Sequence, residues 1–180
     1  MSPLEKEAVL ASMTVLIDTR EQPSRRALAR YKSFQVPYKR ATLSYGDYSY
    51  TATLPDGSVI NEPKGTLSPS GVVVERKMDL DELEGCFTRS RERFEKEFRR
   101  ATEAGCKVIL LVENATWENL INGRYHSKMA PKAYLASITA FMERYNVQVI
   151  FCREETSGRL IKELLYRNLK ERIERGEFDG

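Results

Sequence analysis

Glu75 and Lys77 close the segment Val72-Val73-Val74-Glu75-Arg76-Lys77, in which three β-branched apolar residues run directly into charge. Such a run reads as a buried strand. Side chains two apart on a strand share a face, so Glu75 and Lys77 point the same way, roughly 7 Å apart by the strand rise. A carboxylate that holds a cation, beside an ammonium that neutralises charge developing on phosphate, suits metal-assisted hydrolysis of a phosphodiester. Alone, the pair has a simpler explanation, a strand leaving the core and ending in solvent, and so short a motif needs context. Two further carboxylates supply it. Asp18 follows the apolar run Met13 to Ile17, and Asp47 follows Gly46 in the tyrosine-rich stretch Tyr45 to Tyr50, which reads as a turn into a strand. Three strand edges thus offer Asp18, Asp47 and Glu75.

The elements that must position these groups can be followed along the chain. Residues 1–12 read as a short helix or frayed tail ahead of a single domain at 13–180. Strands are expected at 13–18, 35–41 and 48–53, with a basic helix from Ser24 to Tyr31 between the first two. The turn Leu54 to Ser58 leads to Val59-Ile60, and a Pro-, Gly- and Ser-rich loop at 61–70 precedes the strand at 71–77. There the pattern changes to helical period. Asp79 can cap a helix with Glu82 three residues on, and Met78 with Leu83 could form the flanking apolar staple. Asp81 falls in the first helical turn, where the helix dipole already favours an acid.

From Ser90 to Ala104, Phe94, Phe98 and Ala101 mark one buried side of a helix that Gly105 stops. Arg91 with Glu95 and Glu95 with Arg99 fit an ordinary solvated face. A strand at 107–112, a short helix near Trp117 and a basic loop at 123–130 carrying Arg124 and Lys128 come next. Pro131 suits the start of a helix reaching Tyr145, followed by a strand at 147–151 and a last helix from Ser157 to Ile173. The stripes Leu135, Ile138, Phe141, Met142, Tyr145 and Leu160, Ile161, Leu164, Leu165, Leu169, Ile173 read first as core. The second is broad for a helix that merely covers a sheet, which points to a homodimer through the C-terminal helices.

Composition narrows the chemistry. The 180 residues fit one domain with a proper core. With 29 basic and 26 acidic residues the net charge is only +3, so nucleic-acid binding would need local clustering. Cys86, Cys106 and Cys152 are odd in number and form no C-x-x-C pattern, which argues against a disulfide framework or zinc knuckle and favours a reducing cytoplasm. The lone histidine, His126, lies in the basic loop and cannot supply the several imidazoles of a His-based metal site. No signal peptide or membrane-spanning run is present, so a soluble, unexported chain is expected. Catalysis, if any, must rest on carboxylates and lysines.

The ordered segments VLIDTRE (15–21), GDY (46–48) and ERK (75–77), the last followed by Asp81, resemble the motifs of the XPF-type structure-specific endonuclease domain. The likeness continues through SRERFEKEFRRA (90–101) and VILLVE (108–113) and so covers nearly the whole chain. It implies an α/β domain of the restriction-endonuclease-like type, a central mixed sheet flanked by helices on both faces. It further implies metal-dependent cleavage of DNA, on branched or flap structures in repair or recombination. Asp47 and Glu75 would bind Mg²⁺ or Mn²⁺ with the Arg76 carbonyl, and Asp18 would hold a second ion or orient the attacking water. Lys77 would contact the phosphate or activate the water, and Asp81 would orient Lys77. Arg20 and Glu21 would support the cluster, while Arg20, Arg76, Arg91, Arg124 and Lys128 would meet DNA. The chain departs from the family in ending soon after this domain, without a tandem helix-hairpin-helix or helicase region, and in its longer loop at 61–70. Two other readings remain, a non-catalytic DNA-binding or assembly partner and a Holliday-junction-type resolvase of the same broad fold.

Overall fold

The three valines lie in β6 (Val72–Lys77), an interior strand of an eight-stranded mixed sheet in the computed structural model, which describes residues 1–179. The other strands are β1 (Thr14–Asp18), β2 (Tyr38–Leu43), β3 (Tyr48–Thr53), β4 (Val59–Ile60), β5 (Thr66–Leu67), β7 (Lys107–Glu113) and β8 (Gln148–Cys152). Their order is β5-β2-β1-β3-β6-β7-β8, with β4 pairing to β3.

Alternation along the strands divides the core in two. Val72 and Val74 of β6 and Ile109 and Leu111 of β7 face one layer, built by α1 (Pro3–Ala11), α2 (Arg25–Lys32) and α7 (Glu154–Glu174). Val73, Val108 and Leu110 face the other, built by α3 (Leu80–Phe87), α4 (Arg91–Glu103), α5 (Trp117–Ile121) and α6 (Pro131–Tyr145). The period of two thus fills both faces of the same strands with side chains.

Strand direction places the chemistry. β1 runs parallel to β2, and β6, β7 and β8 run parallel to one another. β3 is antiparallel to both β1 and β6. The carboxyl ends of β1, β6 and β7 therefore meet the amino end of β3 at one edge of the sheet, which gathers Asp18, Asp47, Glu75, Lys77 and Glu113.

Several sequence expectations are refined or corrected here. Of the two forms expected at 1–12 the helix is present, as α1 (Pro3–Ala11) with a Ser2–Glu5 capping box, and its Val9 is buried in the same core as the strands. β2 begins at Tyr38 rather than 35 because Gln35 is left-handed (φ 57°) and Pro37, lacking an N–H, follows. The loop at 61–70 contains β5, whose two residues pair parallel to β2. Of the apolar stripe of α7, Ile161, Leu165, Leu169 and Ile173 are buried against the chain's own sheet while Leu160 and Leu164 are half-buried, and Ile138, Phe141 and Tyr145 of α6 are buried in the opposite layer. At Gly158 a Cβ would overlap Ser33 Oγ and the Arg30 carbonyl, so only glycine lets α7 cross α2 this closely. No described helix is long and apolar enough to cross a membrane.

Candidate active site

Gly46 sets up the site. Its φ is +74°, and a Cβ there would lie 2.6 Å from Val73 Cβ, so the turn into β3 requires glycine. The next residue is then held between two strands: Asp47 N–H donates to the Val74 carbonyl (2.9 Å), and the Asp47 carbonyl accepts from Asp18 N–H (2.8 Å). Its carboxylate is fixed as well, because Oδ2 accepts the Arg76 N–H at 2.7 Å. On either side of Arg76, Glu75 and Lys77 share a face as the strand period requires, with Lys77 Nζ 2.5 Å from Glu75 Oε1. Asp47, Glu75 and Lys77 line a cavity of about 320 Å³.

The electrostatics of this cavity are uneven. Burial, and then the charge of Glu75, push the Asp47 carboxyl well above the usual aspartate range. Burial works against the Lys77 ammonium, but Glu75 and Asp47 outweigh it and hold its pKa above the ordinary lysine value. Glu97, on the α4 wall, is raised by burial and again by Glu75. Acidic groups therefore face one another with too little positive charge between them. Among the described residues no group of three or more His, Cys, Asp or Glu is arranged to hold an ion. Mg²⁺ does not need one, since it commonly takes one or two carboxylates and keeps several waters. Asp47 and Glu75 fit that donor set, and a divalent cation would relieve the repulsion that raises Asp47.

The other expected residues are placed differently. Asp18 is fully buried and outside the cavity lining; its carboxylate accepts from Arg20 N (2.7 Å), Nε and Nη2 (2.8 Å). In this structure it orients Arg20. Arg20 does line the cavity, with Nη1 3.3 Å from Glu97. Arg76 is expected at DNA, yet its guanidinium is turned inward to Glu113 at 3.0 Å. Asp81 is expected beside Lys77, but its oxygens accept from His126 N–H (2.8 Å) and Ser127 N–H (2.6 Å), tying α3 to the basic loop instead. In this structure Asp81 anchors the loop, while Asp79 caps α3 through Glu82 N–H as the spacing indicates. Arg91, Arg124 and Lys128 are exposed, and Arg91 spends its Nε on Glu95 (3.0 Å).

Four contributors escape the sequence reading. Arg93 and Glu97 of α4 line the cavity beside the buried Phe94 and Phe98; their i, i+4 spacing one step from the apolar stripe is the only signal they carry. Cys86 also lines it, with burial raising its thiol to about 11, so it stays protonated at neutral pH. The fourth is Glu113. Its carboxylate, 1% exposed, binds Arg30 (Nε 3.1 Å, Nη2 3.0 Å) and Arg76 (Nη1 3.0 Å). Arg30 Nη1 donates to Tyr48 Oη (3.3 Å), Tyr48 donates to Glu21 Oε2 (3.0 Å), and Glu21 Oε1 lies 3.8 Å from Arg76 Nη2. Five side chains in succession, their ends only 3.8 Å apart at Glu21 and Arg76, thus brace the residue whose backbone holds Asp47.

Comparisons with known proteins agree with this arrangement. Residues 17–164 match the family model described as the ERCC4 domain, most of the chain. No curated protein matches. Among solved structures, the chain is similar to XPF from Aeropyrum pernix, at 20% identity and a TM-score of 0.56 over 84% of this chain and 59% of that one. A second structure, XPF from Aeropyrum pernix in complex with DNA, matches at 21% identity with the same TM-score, over 86% of this chain and 63% of that one. The chain therefore spans about three fifths of the length of either. The shared architecture bears out both the resemblance seen in the motifs and the mixed sheet flanked by helices.

Proposed function

We propose, from the premise that this chain belongs to the ERCC4 domain family, that it is a DNA endonuclease that uses Mg²⁺ or Mn²⁺ to hydrolyse phosphodiesters in branched or flap structures. One observation carries this reading: Asp47, hung on the Arg76 N–H, stands beside the Glu75–Lys77 pair in an open cavity. Asp47 and Glu75 would hold the ion, with the Arg76 carbonyl as a further ligand. Bound there, the ion supplies Lewis acidity toward phosphate and a lowered pKa for water.

The side chains do the rest. In the absence of an ion Glu75 and Asp47 hold the Lys77 pKa above the ordinary lysine value, which favours the phosphate-contacting one of its two expected roles. Lys77 donates hydrogen bonds to the phosphate oxygens as negative charge builds on them. Arg20 and Arg93 line the same cavity and draw the backbone phosphate in. Asp18 and the Glu113 network hold Arg20 and Arg76 and so fix the geometry at a distance.

The retention of Asp47, Glu75 and Lys77 in one cavity weighs against a purely non-catalytic DNA-binding partner. A homodimer has less support than the hydrolase, because the inner residues of α6 and α7 are covered by the chain's own sheet; the half-buried Leu160 and Leu164 of α7 and Val149, Ile150 and Phe151 of edge strand β8 are apolar surface open to a second copy. Light scattering across micromolar concentrations tests this, and a junction-type resolvase requires the dimer. The activity test is a panel of labelled flap, fork, four-way junction and plain duplex DNA, with Mg²⁺, Mn²⁺ or EDTA. Cleavage with either ion and none in EDTA is expected, strongest on branched substrates. Equal cleavage in EDTA, or none of any substrate with either ion, contradicts the reading.

A further inference from the structure

A second cavity, about 280 Å³, shares Arg20, Glu21 and Arg76 with the catalytic pocket and is otherwise walled by Arg26, Arg30 and Glu113 among others. It is far larger than the roughly 30 Å³ a water occupies in the liquid. Four arginines against two glutamates line it, and a count of their donors shows which are free. Arg30 is spent on Glu113, Tyr48 and Ser157, and Arg20 on Asp18, Glu97 and the Leu43 carbonyl. Arg76 commits Nη1 to Glu113, and its Nε is enclosed and out of a ligand's reach, so Nη2, 3.8 Å from Glu21, is the one donor it has left. Arg26 makes only long contacts, 3.5 Å to Glu154 and 3.6 Å to Met78 Sδ, and stays 63% exposed. Two guanidiniums with unspent donors therefore border one polar cavity. Ser24, the N-cap of α2, lines it too, so the positive end of that helix dipole is close by.

We infer that this second cavity binds a backbone phosphate of the nucleic-acid strand flanking the scissile one, with Arg26 and Arg76 as its ligands. Arg26 can offer its guanidinium fork to two phosphate oxygens and Arg76 its Nη2, and the shared wall of Arg20, Glu21 and Arg76 makes the two cavities neighbours along one strand. The site would set the path by which the strand enters or leaves the catalytic pocket. It rests on the hydrolase reading for its substrate, yet its test does not require cleavage.

The exposure of Arg26 lets it be removed without disturbing the core. Binding of a short labelled single strand is measured by anisotropy in EDTA, for the parent and Arg26→Ala, with Arg167→Ala on α7 controlling for the loss of a surface charge. The strand carries one neutral methylphosphonate, moved position by position. Arg26→Ala should raise Kd about tenfold, the loss of a charge-assisted hydrogen bond, and lower the salt slope by about 0.7. At one position the neutral linkage should weaken the parent but not Arg26→Ala, because both changes remove the same contact. Additive effects at every position, or an Arg26→Ala protein that matches Arg167→Ala in Kd and slope, would overturn the inference. If the parent cuts no DNA yet this coupling appears, the hydrolase reading falls and the phosphate site stands.

Discussion

Two charged clusters stand at the same edge of the sheet, and they resolve their charge in opposite ways. At the end of β7, Glu113 is enclosed and each of its oxygens meets an arginine within 3.1 Å. At the end of β6, Asp47 and Glu75 face an open cavity with one ammonium between them, and burial with mutual repulsion raises the Asp47 carboxyl. Charge satisfied inside the protein makes a frame. Charge left unsatisfied beside that frame is arranged for a ligand, and perturbed carboxyls in a cleft are where chemistry is expected. The two clusters are joined at Arg76, whose side chain belongs to the frame and whose N–H holds Asp47.

Substitutions that separate the clusters should behave differently, most sharply in catalysis. Asp47→Asn, Glu75→Gln or Lys77→Ala should each lower cleavage by about 10²-fold or more, as loss of an electrostatic catalytic group does, while DNA binding and fold are retained. Cleavage at the parent's rate under matched metal and salt would dissolve the distinction. Glu113→Ala should act on the frame instead. It leaves Arg30 and Arg76 buried without their counter-ion, a loss of about 3–5 kcal/mol, read as a lower urea midpoint. A change under about 1 kcal/mol would mean that the network contributes little.

The open cluster should also leave a mark on stability against pH. In metal-free protein the folded state holds the Asp47 proton more tightly than the unfolded chain does. Stability should therefore fall as pH rises from the ordinary aspartate value, about 3.9, through the raised one, because the unfolded chain has already released that proton. Asp47→Asn should flatten this loss and raise the neutral-pH melting temperature of the metal-free protein, and Mg²⁺ should raise that of the parent. A pH profile unaffected by Asp47→Asn would remove the argument from repulsion. Away from both clusters, Arg91→Ala or Arg124→Ala should change stability by less than about 0.5 kcal/mol and weaken DNA binding only modestly, with a shallower salt dependence. A flat salt dependence in the parent would contradict phosphate contact.

The open cluster was the more legible of the two. Strand period alone set Glu75 beside Lys77, and Gly46 before Asp47 marked the turn that its positive φ and the proximity of Val73 require. The frame was not legible. Glu113 and Arg30 lie 83 residues apart, and nothing local announces their pairing. The same limit applies to Asp81 and Arg76: they match motif positions, but their distant partners, the loop at His126 and the carboxylate of Glu113, carry no local signal. Local signals such as the Asp79 cap and the strand at 48–53 were read correctly because they depend on neighbours in sequence. β5 failed for the opposite reason, since two residues become a strand only when β2 lies beside them.

Titration of Mn²⁺ into the metal-free protein by calorimetry tests the central claim most directly, that Asp47 and Glu75 hold a divalent ion. The parent should bind Mn²⁺ in a pH-dependent manner with release of protons, Asp47→Asn and Glu75→Gln should each lose that binding, and Lys77→Ala should keep it. Undiminished affinity in both carboxylate variants would contradict the claim.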